Sequence, residues 1–323
     1  MSAVRIAFDN PLGPIGALKG KEGQRGMGHY LLRQVHHCTK KTGEPYQKLA
    51  LEDATGNVAG IVWPQFLEHA RTLTLDRPVR VIASVRSFNH ELQLHVERVS
   101  TLASQEVASV TALLRPDDNG HAAVKPALQR LGELEAALPA PLDGFLREVL
   151  LDSRVLPGLL SCRASVNHHH AFKGGLIAHS TAMLTQSKKL TQGIVPDDPW
   201  SPYLTQLGYL LHDLGKLLSV GADARAAHGL VVPHELLTIE LLAPHLAWLD
   251  KRSGELAWGL RYILSHLATP QRDRGVSKLA AAEVVVMLDQ LSAATHNQRD
   301  LNHLLNHDGR VMRSGKVHAF RRG

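Results

Sequence analysis

Histidine and aspartate residues of the kind that bind divalent metal ions recur through the second half of the chain. They are His179, His212, Asp213, His234, His266 and Asp289. The adjacent pair His212 and Asp213 lies in an apolar stretch, and Asp289 follows an apolar run, so these polar side chains need partners if they are buried. Imidazole and carboxylate ligands without a thiolate suit Mn, Fe, Co, Ni or Zn. The alternative is a set of hydrogen-bonded core residues without a metal.

Other polar residues near these candidate ligands could contact an anionic substrate. Lys216 follows Asp213 by three residues, so on a helix the two share a face and the ammonium group would neutralise a scissile phosphate. A lysine that only reaches solvent is the alternative. The remaining candidate substrate contacts are His169, His170, Lys173, Arg272 and Arg274.

Helices are the elements that would position these residues. From about residue 104, helical spacing of Ala, Leu and Glu replaces strand-like alternation. We predict helices over residues 104–114, 123–137, 142–161, 176–191, 202–218, 234–247, 255–266 and 277–294. The Pro-Ala-Pro segment at 139–141 breaks this pattern. The organisation predicted from it is a helical linker over 104–141, an all-α bundle over 142–305 and a basic tail over 306–323.

Alternating strands dominate the N-terminal part of the chain. We predict strands over residues 29–38, 46–53, 57–63, 79–88 and 90–99, with a helix over 64–75 between the third and the fourth. This order is typical of the OB fold, a five-stranded barrel that binds single-stranded nucleic acid or oligosaccharide. We therefore expect an OB domain over 27–103, after a flexible arm over 1–26 with a short strand at 4–8. A barrel that contacts only proteins is the alternative.

Single-strand binding by such a barrel needs both positive charge and stacking faces. The side chains that could supply them are Lys41, Tyr46, Lys48, Trp63, Arg86 and Phe88. Aromatic residues make up 5% of the chain, which limits the stacking capacity.

The overall composition favours an anionic partner and excludes several classes of protein. A net charge of +6 and a pI near 9.4 favour binding to nucleic acid or another polyanion. No apolar stretch reaches the roughly 18 residues of a membrane span. Two cysteines make no disulfide framework, and with no export signal we expect a cytoplasmic protein. The sequence does not indicate an oligomeric state.

The order of the candidate ligands resembles the HD superfamily of metal-dependent phosphohydrolases. His179, His212, Asp213 and Asp289 match its core ligand set, and two further histidines match the extra ligands of two-metal members; these are His234 and His266. The chain also resembles YhaM-type 3′–5′ exonucleases over roughly residues 25–300. Two features carry this resemblance: an OB fold that precedes the HD-like region, and the segment His-His-Ala-Phe-Lys-Gly-Gly-Leu-Ile-Ala-His at 169–179.

The resemblance implies a metal-dependent nuclease built from an OB barrel and an all-α HD domain. It implies one or two divalent transition-metal ions, with Mn²⁺ favoured. In one arrangement Asp213 bridges two ions; His179, His212 and Asp289 then complete one site, and His234 and His266 the other. Substrates would be single-stranded RNA or DNA, hydrolysed from the 3′ end. Leu267 and Ser292 depart from the family pattern, which has a second histidine after the position of His266 and an additional aspartate after that of Asp289.

Two other functions fit the same residues. One is an HD phosphohydrolase of a small nucleotide, such as a cyclic dinucleotide or a nucleoside triphosphate, although such a substrate needs no barrel to hold a strand. The other is a non-enzymatic or relaxase-related nucleic-acid-binding protein, because the segment at 169–179 is also similar to HD-type relaxase domains.

Overall fold

A closed barrel followed by a helical region makes up the part of the chain that the structure describes. The structure is a computed structural model, and it describes residues 11–70, 72–166, 170–221 and 231–306, with only the backbone for 296–306. The strands of the barrel are β1 (Arg25–Thr39), β2 (Pro45–Asp53), β3 (Gly56–Val62), β4 (Arg77–Phe88) and β5 (Glu91–Thr101). The predicted fold class, an OB-type barrel before an all-α region, is confirmed.

The barrel closes in the strand order β1-β2-β3-β5-β4. The long strand β1 pairs with both β2 and β4, and an irregularity between Leu32 and Gln34 bends it from one partner to the other. β3 and β5 pair in parallel and complete the closure. Alternation along β2 places Leu49 and Leu51 in the core. A 3₁₀ helix at Pro64–Ala70 stands between β3 and β4, shorter than the predicted helix over 64–75.

The segment before β1 differs from the expected flexible arm over residues 1–26. Leu12 and Leu18 are fully buried in the barrel core and Ile15 nearly so. The carboxylate of Asp53 accepts a 2.7 Å hydrogen bond from the Ile15 amide, which fastens the segment to the end of β2. Residues 1–10, with the strand predicted at 4–8, lie outside the described residues.

The helices of the second region share one apolar core. They are α1 (Val124–Ala137), α2 (Leu142–Leu150), α3 (Gly175–Thr181), α4 (Leu184–Ile194), α5 (Ser201–Leu211), α6 (Lys216–Ser219), α7 (His234–Asp250), α8 (Gly254–Ala268) and α9 (Ala280–Asn306). Of the predicted basic tail over 306–323, residues 307–323 lie outside the described part of the chain. No helix within the described ranges has the length and apolar character needed to cross a lipid bilayer.

The helix predicted over residues 104–114 is wrong. Two 3₁₀ turns, Ser104–Glu106 and Thr111–Leu113, are separated by extended backbone. Val110 is fully buried in the core of the helical region, and the carboxylate of Glu135 on α1 accepts hydrogen bonds from the amides of Val110 and Thr111. Residues 104–114, the first part of the predicted helical linker, thus pack against the bundle as short turns.

The barrel and the helical region are in direct contact. Leu31 on β1 belongs to the apolar core of the helical region. Arg77 at the start of β4 donates a 2.6 Å hydrogen bond to the carbonyl of Leu151, directly after α2. Ser104 donates a 2.6 Å hydrogen bond to Glu148 on α2. These contacts span the junction at several points.

Candidate metal centre

Four of the predicted ligands converge at one place in the helical region. His179 comes from α3, His212 and Asp213 follow α5 directly, and Asp289 comes from α9. The Nε2 atom of His179 lies 3.2 Å from Asp213 Oδ2 and 3.2 Å from Asp289 Oδ1. The Nε2 atom of His212 lies 3.4 Å from the same two oxygens. Single atoms of His179, His212 and Asp213 all lie within 4.8 Å of one another.

These separations fit a shared cation better than a set of hydrogen bonds. Atoms that each lie about 2.1 Å from one ion are about 3.0–3.4 Å apart at octahedral or tetrahedral angles. The observed separations of 3.2–3.4 Å fall in that range. Among the described residues, His212 Nε2 makes no hydrogen bond of good geometry, although it is buried and lies 3.4 Å from oxygens of Asp213 and Asp289. The donor set, two imidazoles and two carboxylates, fits a divalent transition metal.

The turn that carries His212 and Asp213 interrupts the helix we predicted over residues 202–218. α5 ends at Leu211, and α6 starts again at Lys216. Gly215 in this turn lies so close to α7 that a Cβ atom there would be 1.9 Å from the His234 carbonyl oxygen. Thr238 Oγ1 accepts a 2.8 Å hydrogen bond from the Gly215 amide, and its hydroxyl contacts the carbonyl of His212 at 2.9 Å. The turn therefore docks on the first turn of α7.

Neighbouring positive and hydrogen-bonding groups keep both carboxylates ionised, the buried Asp213 and the partly exposed Asp289. Burial opposes ionisation of Asp213, but the adjacent His212 and Lys216 hold the pKa of its carboxyl well below the usual value. Burial likewise opposes ionisation of Asp289, while its contacts with His179 and His212 hold its pKa far below the usual range. The cluster therefore presents two negative charges to a cation.

His212 is held with one ring nitrogen turned toward the cluster. Its Nδ1 lies 2.7 Å from the carbonyl oxygen of Tyr209, which can only accept, so Nδ1 donates. Nε2 then faces Asp213 and Asp289, the orientation of a metal-binding histidine. In the metal-free protein, burial opposes its charged form, but the charges of the two carboxylates outweigh burial and raise the pKa of His212 to about 9. A divalent cation would displace this proton.

Asp213 uses its second oxygen for another histidine. Its Oδ1 lies 3.0 Å from Nε2 of His234, the first residue of α7, while Oδ2 faces the four-residue cluster. Nδ1 of His234 lies 3.4 Å from Oε2 of Glu235. One carboxylate thus faces two histidine groups through different oxygens, so Asp213 could hold cations on both sides if two were bound.

Lys216 reaches the same carboxylate from α6. Its Nζ lies 2.6 Å from Asp213 Oδ2, although Asp213 lies in the turn before α6 and not on one continuous helix with Lys216. The Lys216 side chain is 16% exposed, so it does not simply extend into solvent. It places a positive charge at the edge of the cluster.

The other predicted ligand, His266, is not brought into this cluster by any contact among the described residues. Its Nε2 lies 3.4 Å from Oε1 of Glu283 on α9, and its ring stacks on Tyr262. His266 is near the end of α8, and the rotation of that helix turns its ring toward Glu283.

Of the predicted substrate contacts that the structure describes, only Arg274 lines the cavity at the cluster. Its guanidinium also donates hydrogen bonds of 2.9–3.0 Å to carbonyls at the end of α8. Arg272 is 86% exposed and pairs with its neighbour Asp273. The ring of His170 lies 5.7 Å from that of His179. Lys173 lines a different cavity, at the junction with the barrel, and His169 lies outside the described residues.

A cavity of about 190 Å³ opens beside the cluster. Asp289 forms part of its wall, with its side chain 41% exposed. Sequence reasoning missed three polar residues on this wall, Glu235, Gln271 and Gln290. The signal that could have found two of them is adjacency, because Glu235 follows His234 and Gln290 follows Asp289.

The barrel carries a larger groove of about 530 Å³ on β2, β3, β4 and β5. Five of the six predicted barrel contacts line it, namely Tyr46, Lys48, Trp63, Arg86 and Phe88. The rings of Tyr46 and Trp63 are 5.5 Å apart, and Lys40 Nζ lies 4.9 Å from the Trp63 ring centroid. Phe88 is 63% exposed at the rim. The sixth residue, Lys41, is exposed in the turn between β1 and β2 and does not line the groove.

Comparisons with known proteins confirm the resemblance recognised in the sequence. A protein named 3′-5′ exoribonuclease YhaM from Oceanobacillus iheyensis is 23% identical over 278 residues, which cover 84% of this chain and 84% of the relative. A protein of the same name from Geobacillus is 23% identical over 288 residues, covering 86% and 85%. No family model matches the chain.

Solved structures similar to this chain include isolated OB domains. The second OB-fold domain of replication protein A from Methanococcus maripaludis is 17% identical, with a TM-score of 0.22, covering 25% of this chain and 86% of that one. The OB domain of a Thermoplasma acidophilum protein is 16% identical, with a TM-score of 0.23, covering 29% and 88%.

Proposed function

We propose that this protein is a metal-dependent 3′–5′ exonuclease of single-stranded RNA that also accepts single-stranded DNA. The observation that carries the proposal is the convergence of His179, His212, Asp213 and Asp289 at separations that fit a shared divalent ion. The relatives named 3′-5′ exoribonuclease support the substrate and the direction of hydrolysis. The helical region would then be an HD domain, and the protein would act in the cytoplasm.

The chemistry starts from the residues that would hold the metal. His179, His212, Asp213 and Asp289 would bind one ion, with Mn²⁺ favoured by the family resemblance. Asp213 Oδ1 and His234 would contribute to a second position. A bound divalent ion polarises phosphoryl oxygens and lowers the pKa of water toward neutrality. The carboxylates balance its charge, and their low pKa values keep them ionised at neutral pH.

Lys216 would act on the substrate rather than on the metal alone. Its Nζ is held by Asp213 Oδ2 at 2.6 Å, at the edge of the cluster. A phosphodiester at the cluster would meet this ammonium, which stabilises the charge that develops on the phosphoryl oxygens during hydrolysis. His170 and Arg274 are further candidates for positioning the strand, from the loop before α3 and from the cavity wall respectively.

The barrel would hold the part of the strand that is not being cleaved. Its groove combines the aromatic rings of Tyr46 and Trp63 with the cations Lys48 and Arg86, the two components that single-strand binding requires. The work is thus divided between a strand-holding domain over residues 27–103 and a hydrolytic domain over 142–305.

A cleavage ladder tests this proposal. Single-stranded RNA and DNA labelled at the 5′ end are incubated with the protein, with and without Mn²⁺. We expect stepwise shortening that needs the metal and that a 3′-phosphate or a duplex end slows. Asp213→Asn should abolish the ladder. Asp250→Asn should not, because it removes only an exposed partner of Arg261 at the last residue of α7.

Other outcomes distinguish the alternatives. Hydrolysis of a cyclic dinucleotide or a nucleoside triphosphate without any ladder would instead establish a small-nucleotide phosphohydrolase. Immediate cleavage of a circular single strand would indicate an endonuclease or a relaxase-like activity.

A further inference from the structure

Arg163, in the segment between α2 and α3, has no side-chain partner in the described part of the chain. The guanidinium of Arg163 makes no hydrogen bond or ion pair there, and its Nε is shielded from solvent. All other arginines described between residues 104 and 295 donate to a carboxylate, a backbone carbonyl or both. A shielded N–H without an acceptor costs free energy, so we expect a group beyond the described residues to supply one.

The backbone around Arg163 is fixed between two segments that contact the metal cluster. The Cys162 thiol donates to the carbonyl of Lys216 at 3.4 Å, and Lys216 in turn reaches Asp213. On the other side, the Ala164 amide donates to the carbonyl of His170 at 3.2 Å. The ring of His170 lies 5.7 Å from that of the candidate ligand His179.

Further contacts keep this segment rigid. The Arg163 amide donates to Gly221 at 3.1 Å, and the Leu176 amide of α3 donates to the Cys162 carbonyl at 3.0 Å. His170 has a φ of +57°, in the left-handed region that residues other than glycine rarely adopt. Such strained positions persist only where the surrounding contacts fix them, and they cluster at functional sites.

From these contacts we propose that Arg163 binds a phosphate group of the nucleic-acid strand next to the scissile one. This proposal rests on the proposed nuclease function and adds a substrate-binding residue to it. The guanidinium presents several N–H donors in a planar fork that matches phosphate oxygens. Arg163 is half-buried, so its position is set by the fold while part of the side chain remains accessible. Lys216 and Arg163 would then neutralise successive phosphates.

The test compares Arg163→Gln with Arg163→Lys and a matched control. Arg252→Gln is the control, because Arg252 lies beyond the far end of the 17-residue helix α7, about 25 Å along the helix from His234. The substrate is a single-stranded tetranucleotide, chosen to minimise contacts with the barrel groove. We expect Arg163→Gln to lower kcat/KM about tenfold to a hundredfold, with Arg163→Lys in between and Arg252→Gln unchanged. Metal content and thermal unfolding should match the wild type in all three variants.

A chemical substitution separates a phosphate contact from a structural effect. Replacing one phosphodiester beside the scissile bond with an uncharged methylphosphonate should lower kcat/KM of the wild type. The same substitution should not lower the kcat/KM of Arg163→Gln any further, because the contact between arginine and phosphate is already lost in that variant. The salt dependence of kcat/KM should also become shallower in Arg163→Gln, with a log–log slope smaller by about 0.7.

The possible failures are distinct. If the wild type cleaves the strand and Arg163→Gln has the same kcat/KM as Arg252→Gln, Arg163 does not bind the substrate, and the nuclease function stands. The same conclusion follows if the methylphosphonate lowers kcat/KM equally in the wild type and in Arg163→Gln. If the wild type produces no cleavage products with any metal, the proposed function fails and the inference fails with it.

Discussion

Substitution of Gly215 by alanine should separate the two halves of the candidate metal centre. The φ of Gly215 is −59°, which any residue adopts, so the effect would come from contact alone. A Cβ there would lie 1.9 Å from the His234 carbonyl oxygen and 2.6 Å from the Thr238 amide nitrogen, and real Cβ atoms keep 3.0 Å or more. The turn and α7 must therefore move apart by about 1.1 Å, the difference between 3.0 and 1.9 Å.

That displacement would carry His234 away from Asp213. Their contact of 3.0 Å would lengthen to about 4 Å, beyond the 3.0–3.4 Å expected for two atoms that bind the same cation. A misplacement of about 1 Å costs about a hundredfold in rate, and overpacking of this kind costs about 1–3 kcal/mol of the free energy of unfolding.

The assay measures kcat on a labelled oligonucleotide, metal content after dialysis, and urea unfolding for Gly215→Ala. Gly193→Ala on α4 is the matched control, because a Cβ there meets nothing within 4 Å. The control should keep full activity and gain up to about 1 kcal/mol of stability from the better helix propensity of alanine. A Gly215→Ala protein with the metal content, stability and kcat of the wild type would refute the docking of this turn on α7.

Three further substitutions test other parts of the structure. Asp213→Asn should lose at least one bound metal ion per chain, measured by elemental analysis. A metal content equal to that of the wild type would contradict the metal assignment. Trp63→Ala should weaken the binding of long single strands by about 1–3 kcal/mol, measured by fluorescence anisotropy, and should leave the rate of tetranucleotide cleavage unchanged. A comparable loss of tetranucleotide cleavage would argue that the barrel does not serve to hold long strands. Asp152→Asn should lower the free energy of unfolding by about 1–3 kcal/mol at pH 7, because the Asp152 carboxylate accepts hydrogen bonds from Arg154 and His245. Burial opposes ionisation of Asp152, but these partners hold its pKa below the usual value. The difference in the free energy of unfolding between the wild type and Asp152→Asn should therefore shrink as the pH falls below about 4. An equal difference at pH 3 and pH 7 would contradict this explanation.

The barrel could be predicted from the sequence because its strands have one face inside and one outside. Leu49 and Leu51 on β2 alternate with residues of lower hydrophobicity or greater exposure, and the observed strand lies within one residue of the prediction. The segment at 11–24 could not be predicted in the same way. It contributes Leu12 and Leu18 to the barrel core without any regular period.

The helical region was harder to predict because apolar spacing does not show where a helix is interrupted. Val107, Val110 and Leu114 have helical spacing, but they enter the core from short turns and extended backbone. The apolar run from Leu204 to Leu218 continues across the break after α5. The break is fixed by tertiary contact with α7, where only a glycine fits at position 215. In the sequence, Gly215 is the local feature that indicates it.

The candidate site followed from residue types and from the order of the ligands, not from spacing. His179 and Asp289 are far apart in the sequence, and only the family resemblance indicated that they meet. The orientation of His266 could not be foreseen, because it depends on the rotation of α8 against α9, where Glu283 faces it. The lack of a partner for Arg163 among the described residues is visible only when the positions of the nearby carboxylates are known.

The most direct test of the metal-dependent mechanism is a titration of chelator-stripped protein with Mn²⁺. Metal occupancy and the rate of 3′-end shortening of single-stranded RNA are measured on the same samples. We predict that the stripped protein is inactive and that activity rises in step with the occupancy of the Asp213 cluster, while Asp213→Asn gains neither. Full shortening activity in protein with less than about a tenth of an ion per chain would contradict the account.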